Sequence, residues 1–273
     1  MNKEGKNIKR ENMITSTLFK EIIRIDLFRI REVEEFLVGI DPILKENGFR
    51  FKTNEIEGID FSINDPEPLI TQRFMRNSGN TISYEYVGKF GEELVINEYM
   101  IILQRMEFAN QRTVSDNINM LSQIMGKLAE METISVERIG VREVNRAKGK
   151  DLSTMLKIFK FEEVDLDNAQ SYENYENSSK KILQDSQRNG VTILKEIVKG
   201  MMQIDKQDVE LYMTTIDIDV YSRRHEGEVS EKNIRLKLIE LADFVFDEFM
   251  SYDNEILERI LKDPDNLEDL EIY

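Results

Sequence analysis

Residues 133–150, TISVERIGVREVNRAKGK, constrain this chain more than any other stretch. Successive side chains of a strand point to opposite faces, so its phase can be read from its apolar positions. Ile134 and Val136 share one phase, Ile139 and Val141 take the other, and Val144 returns to the first. One extra residue in a ladder produces such a change, and Gly140 is the residue type that marks a bulge. Arg138, Arg142 and Arg146 are interleaved with Glu137 and Glu143. In a central strand such charges need partners, because an isolated buried charge is very costly. They either pair across the sheet or line a patch for a carboxylate or phosphate ligand.

The rest of the chain sets what surrounds that strand. Its 273 residues allow one large domain or two small ones, and 40% hydrophobic content supports a substantial core. A net charge of −16 argues against extended nucleic-acid contact, which relies on clustered Lys and Arg. The absence of cysteine removes disulfides and thiol nucleophiles and suits a reducing cytoplasm. One histidine, His225, excludes a histidine-rich metal site within one chain. No run approaches the roughly 18 apolar residues of a spanning helix, so no membrane contact is expected. Residues 1–15 lack the apolar core of a secretory signal and are expected to form a polar, disordered leader.

Periodicity predicts a first strand at 18–28 and a helix over 31–47, with Val33, Phe36, Leu37, Ile40 and Leu44 on one face. Pro42 should kink that helix or start a second one capped by Asp41, and Gly48 should stop it. Residues 49–63 read as extended. Strands follow at 69–75, 81–87 and 93–103, separated by turn residues at 77–80 and 88–91. Tyr84, Tyr86 and Tyr99 read as sheet packing rather than a base-stacking platform. Residues 113–131 form the clearest helix, capped by Thr113 or Ser115. A polar connection over 151–189 opens with a short helix near 152–161 and continues through a polar run at 162–187, with a helical turn or two and scope for partner contact. A hairpin at 191–204 and 208–221 precedes a helix capped by Ser230, then a short helix capped by Asp253. The last residues, 263–273, carry five acids and no base and read as a loose tail. The sum is an α+β protein: mixed, largely antiparallel sheets covered by helices. It divides into an N-terminal half at 16–150 and a C-terminal hairpin with helices at 190–262, two loosely similar units.

Asp217 and Asp219 form the most catalytic-looking pair. Two apart on a strand, they share one face, while Ile216, Ile218 and Val220 share the other. Such carboxylates can hold magnesium, which prefers oxygen ligands. They can equally meet Arg138 and Arg142. No acid-x-lysine strand follows them, and no phosphate loop, dinucleotide turn or serine-hydrolase elbow occurs. His225 lies in SRRHEGE without a serine or threonine motif to pair with.

ERIGVREVN at 137–145 resembles a strand motif of a sporadically distributed, largely uncharacterised bacterial family. Members show an arginine, glycine, arginine and asparagine matched here by Arg138, Gly140, Arg142 and Asn145. They also carry a strand hairpin and helix before the motif and an aspartate-x-aspartate strand before C-terminal helices, matched by Asp217 and Asp219. Glu143 departs from the aromatic residue that often follows the second arginine. The resemblance spans most of residues 15–262. It implies a cytoplasmic α+β protein with no assigned reaction, some members lying beside defence or toxin-like genes.

The sequence therefore supports a cytoplasmic, non-enzymatic interaction or sensor subunit, its partner another protein, with oligomers allowed. It needs no cofactor, and any binding patch would use Arg138, Arg142 and Arg146. The alternative is a magnesium-dependent nucleotide or nucleic-acid enzyme using Asp217 and Asp219.

Overall fold

The computed structural model describes residues 17–52, 82–106, 113–161, 176–185, 189–204, 207–223 and 229–262. In chain order the elements are β1 (Leu18–Leu27), α1 (Val33–Glu46), β2 (Arg50–Phe51), β3 (Tyr84–Val87), β4 (Glu93–Asn97) and β5 (Met100–Met106). There follow α2 (Val114–Met131), β6 (Val136–Gly149), α3 (Leu152–Ile158), β7 (Glu176–Gln184), β8 (Gly190–Ile204), β9 (Gln207–Arg223), α4 (Glu231–Met250) and α5 (Glu255–Lys262). The nine strands form one open sheet in the order β2-β3-β4-β5-β1-β6-β9-β8-β7, and every described pairing is antiparallel. The chain is α+β, and the strands of both predicted halves share this sheet. β6 is the junction between them, paired with β1 on one side and β9 on the other.

One phase of the strands builds the core. Ile23 and Ile25 of β1, Ile139 and Val141 of β6, and Ile216 and Ile218 of β9 join the buried faces of all five helices in a single apolar cluster. The helices attach to that face through specific contacts. Asn117 of α2 bonds Glu21 of β1, Lys195 of β8 reaches the Phe159 and Lys160 carbonyls just after α3, and Asn254 ties the start of α5 to the Lys157 and Ile158 carbonyls. The opposite phase forms the outer face.

The phase change in β6 has a different origin from the one its sequence suggests. Arg138 pairs with Asp26 and Val136 with Leu27, so Glu137 is the extra residue against β1. From Arg138 to Gly149 the register against β9 is unbroken, so Val144 lies on the outer face beside Arg142. Gly140 instead sits in a cross-strand row with Tyr221 and Gly190. A Cβ on Gly190 would run into the Tyr221 ring and hydroxyl, and one on Gly140 would touch Tyr221 Cβ at 3.4 Å. The two glycines leave room for that aromatic side chain against the sheet.

Other departures have local causes. The strand expected at 93–103 is a hairpin, β4 and β5, because Asn97 Oδ1 accepts from the Tyr99 and Met100 amides and folds the chain back. Tyr99 therefore lies in a turn, while Tyr86 is buried in the core. α1 continues through Pro42 as one helix, and Asp41 pairs with Lys45 at 2.6 Å instead of capping a new one. Gly48 stops it with a φ of +78°. Asn254, not Asp253, caps α5, accepting from the Ile256 and Leu257 amides. Part of the expected polar connection is strand β7, which pairs with β8 over its whole length. An exposed edge strand needs no apolar face, so its polar sequence hid it. The strand predicted at 69–75, the leader, the acidic tail and His225 lie outside the described residues.

Thr113 caps α2 through a capping box. Its Oγ1 accepts from the Asp116 amide at 3.2 Å, and the Asp116 carboxylate accepts from the Thr113 amide at 2.8 Å. Thr113→Ala should lower global stability by about 1 kcal/mol, read as a shift of the urea midpoint at unchanged m-value.

Candidate functional site

The outer face of β6 and β9 brings the sequence candidates together as ion pairs. Arg142 forks onto Asp217, its Nε donating to Oδ1 at 2.8 Å and its Nη2 to Oδ2 at 2.6 Å. Arg138 Nη2 donates to Asp219 Oδ2 at 2.9 Å. Arg142 stands directly opposite Asp219 and yet bonds Asp217, so each bridge runs diagonally across the two strands. All four side chains are largely shielded from solvent. The Arg138 guanidinium also lies 4.6 Å from the Tyr221 ring centre. On the β1 side, Asp26 opposes Arg138 and holds Arg24 at 2.6 Å. Acids on β1 and β9 thus flank the arginines of β6. Arg146, the third candidate, stacks on the Phe19 ring at 3.7 Å.

These contacts fix what the acids can do. A bidentate guanidinium–carboxylate pair directs both oxygens of Asp217 to Arg142. A magnesium ion there would have to displace charge-assisted bonds. Among the described residues, no cluster of three or more acidic, histidine or cysteine side chains is arranged to hold a metal ion. Burial pushes the Asp219 carboxyl above the ordinary aspartate range, against the pull of Arg138 and Arg142. Glu196 on β8 is likewise raised, by burial first and then by the charge of Glu176.

A second polar group lies on the helix face. Arg105, Glu21 and Glu143 stand in one cross-strand row through β5, β1 and β6, and each is at most 3% exposed. Arg105 Nη2 donates to Glu21 Oε2 at 3.2 Å, and Asn117 Nδ2 donates to Glu21 Oε1 at 2.9 Å. Next along β6, Asn145 accepts from the Thr17 hydroxyl at 3.0 Å. Reading the sequence by motif passed over Glu21, Arg105 and Asn117. The signal was available: Glu21 shares the phase of Ile23 and Ile25, and Arg105 that of Ile101 and Leu103. A charge in phase with core residues marks a buried pair. The four residues Arg138, Gly140, Arg142 and Asn145 therefore divide between faces. Arg138, Gly140 and Arg142 look outward, and Asn145 looks into the core.

No family model matches the chain, and no curated protein matches it. Among the described residues no helix is long and apolar enough to cross a membrane.

Two outcomes are expected. Glu21→Ala, which leaves Arg105 buried without its carboxylate, should cost about 3–5 kcal/mol in chemical denaturation. Glu196→Gln tests linkage. A raised folded-state pKa means the native state holds the proton more tightly, a stabilisation present below the unfolded value and lost as pH rises through the folded one. The melting temperature of the variant minus that of the parent should therefore be more positive at pH 7 than at pH 4.

Proposed function

We propose that this protein is a non-enzymatic interaction subunit of the cytoplasm that binds another protein, within a bacterial defence or toxin–antitoxin-like module of the kind the resembled family implies. The observation that carries this reading is the engagement of Asp217 and Asp219 by Arg142 and Arg138. The acids that most suggested chemistry act as cross-strand fasteners. The same contacts occupy guanidinium groups that an anionic ligand would use, which counts against a small-ligand sensor built on Arg138 and Arg142. What the chain offers a partner is sheet surface. Its described helices pack on one face, and the sheet ends in a long exposed strand.

The cysteine-free, acidic composition fits the compartment and disfavours nucleic acid as the partner. At native expression, the protein should purify in a stoichiometric complex with a second polypeptide, read by native mass spectrometry. Recovery of free chain alone would count decisively against the proposal. So would magnesium-dependent turnover of nucleotide or nucleic acid that is lost in Asp217→Asn with Asp219→Asn.

A further inference from the structure

We propose that the outer edge of β7 is a strand-addition site for an acidic, extended segment of a partner protein. This deepens the interaction reading above and rests on it. Among the described residues β7 is the last strand of the sheet. It pairs with β8 without interruption, from Glu176 opposite Val198 to Gln184 opposite Gly190. Nine residues of strand span about 30 Å. Eight of those nine are exposed and the ninth is intermediate. A strand with a neighbour on one side only turns a row of amide and carbonyl groups outward, a template for another strand. The opposite end of the sheet offers much less, since β2 is two residues long.

The side chains along this edge choose among occupants. Lys180 and Ile182 stand opposite Leu194 and Thr192 and so point to the outer face, whereas Lys181 and Leu183 stand opposite Ile193 and Val191 on the helix face. Each face of the edge therefore presents one cation and, two residues on, one apolar group. Ile182 is 59% exposed and Leu183 47%. Two adjacent lysines here run against the −16 charge of the whole chain. A second copy fits poorly. Full antiparallel overlap of β7 with its own copy puts Lys180 opposite Lys180, and like charges directly opposite destabilise a strand pair. Lysines on an edge repel copies in this way. The same two lysines favour carboxylates facing them. Main-chain bonds supply affinity in strand addition, and alternate side chains supply specificity. An antiparallel partner meeting Leu183, Ile182, Lys181 and Lys180 in turn should read, from its N-terminus, two apolar residues and then two acids.

The test uses the purified full chain and a blocked, fluorescent octapeptide, Thr-Thr-Val-Val-Glu-Glu-Thr-Thr, followed by anisotropy. The peptide should bind the parent chain and lose at least about tenfold in affinity, roughly 1.4 kcal/mol, against Lys180→Glu with Lys181→Glu. The Val-Val-Lys-Lys peptide should restore binding to that double variant. Both positions are exposed, and an unchanged circular dichroism melt confirms folding. Absence of binding to the parent overturns the assignment, as does binding that ignores the charge swap or a parent dimer that dissociates when Ser179→Pro is introduced. Because the assay needs no native partner, it can fail while a cellular complex is still recovered. In that event the edge assignment falls and the interaction reading stands.

Discussion

Everything in this fold hangs on how β6 satisfies its charges. It is the sixth strand of nine, covered by helices on one face and flanked by β1 and β9, and it carries arginines and glutamates throughout. A strand so placed has little water to offer a charged group, so its partners must come from neighbouring strands. For its arginines they do, on the outer face. Outward, Asp217 and Asp219 of β9 hold Arg142 and Arg138; inward, Glu143 stands next to Glu21, which Arg105 and Asn117 engage. The cross-strand bonds of the two networks join residues more than seventy positions apart along the sequence. One slip in register would exchange the faces of all these side chains and strand charges among the helices. The ion pairs therefore specify the register of β6 against β9 and of β1 against β5, whatever their net contribution to stability.

That use of charge bears on function. Buried or half-buried acids in an unfamiliar protein invite a catalytic reading, since active sites shift and cluster carboxylates. Structural networks do the same. Here the raised Asp219 carboxyl belongs to a cross-strand pair, with Tyr221 and its glycine row beside it. The chemistry of the sheet is mostly inward-looking, concerned with holding strands together. Its outward-looking element is the edge, where lysines stand among exposed apolar side chains.

Much of this was legible in residues. The 3.6-residue period of α2 and α4 named their buried faces, and Thr113 and Ser230 named their starts. The alternation Ile216, Ile218, Val220 against Asp217, Asp219 gave the two faces of β9 correctly, and the arginines of β6 were natural partners for those acids. Three things escaped. β7 has no apolar periodicity because neither of its faces is buried. The turn at Asn97 depends on a single side-chain oxygen that a run of β-forming residues conceals. The bulge is at Glu137 because the β1 ladder demands it, and Gly140 drew attention for a different reason, room for Tyr221.

The amino-acid sequence by itself determined the periods, the caps, the apolar phases and the need of each interior charge for an opposite one, because these follow from side-chain chemistry and backbone geometry within a few residues. Tertiary structure alone decided which charge meets which. Arg142 faces Asp219 and bonds Asp217; Glu21 could have paired with any base in phase and found Arg105. Those choices depend on strand order and register, fixed by burying a whole face at once, and no local stretch encodes them. The stretch at 133–150 announced that its charges must be answered, and only the assembled sheet showed that Asp217 and Asp219 of β9 and the Phe19 ring of β1 answer its arginines.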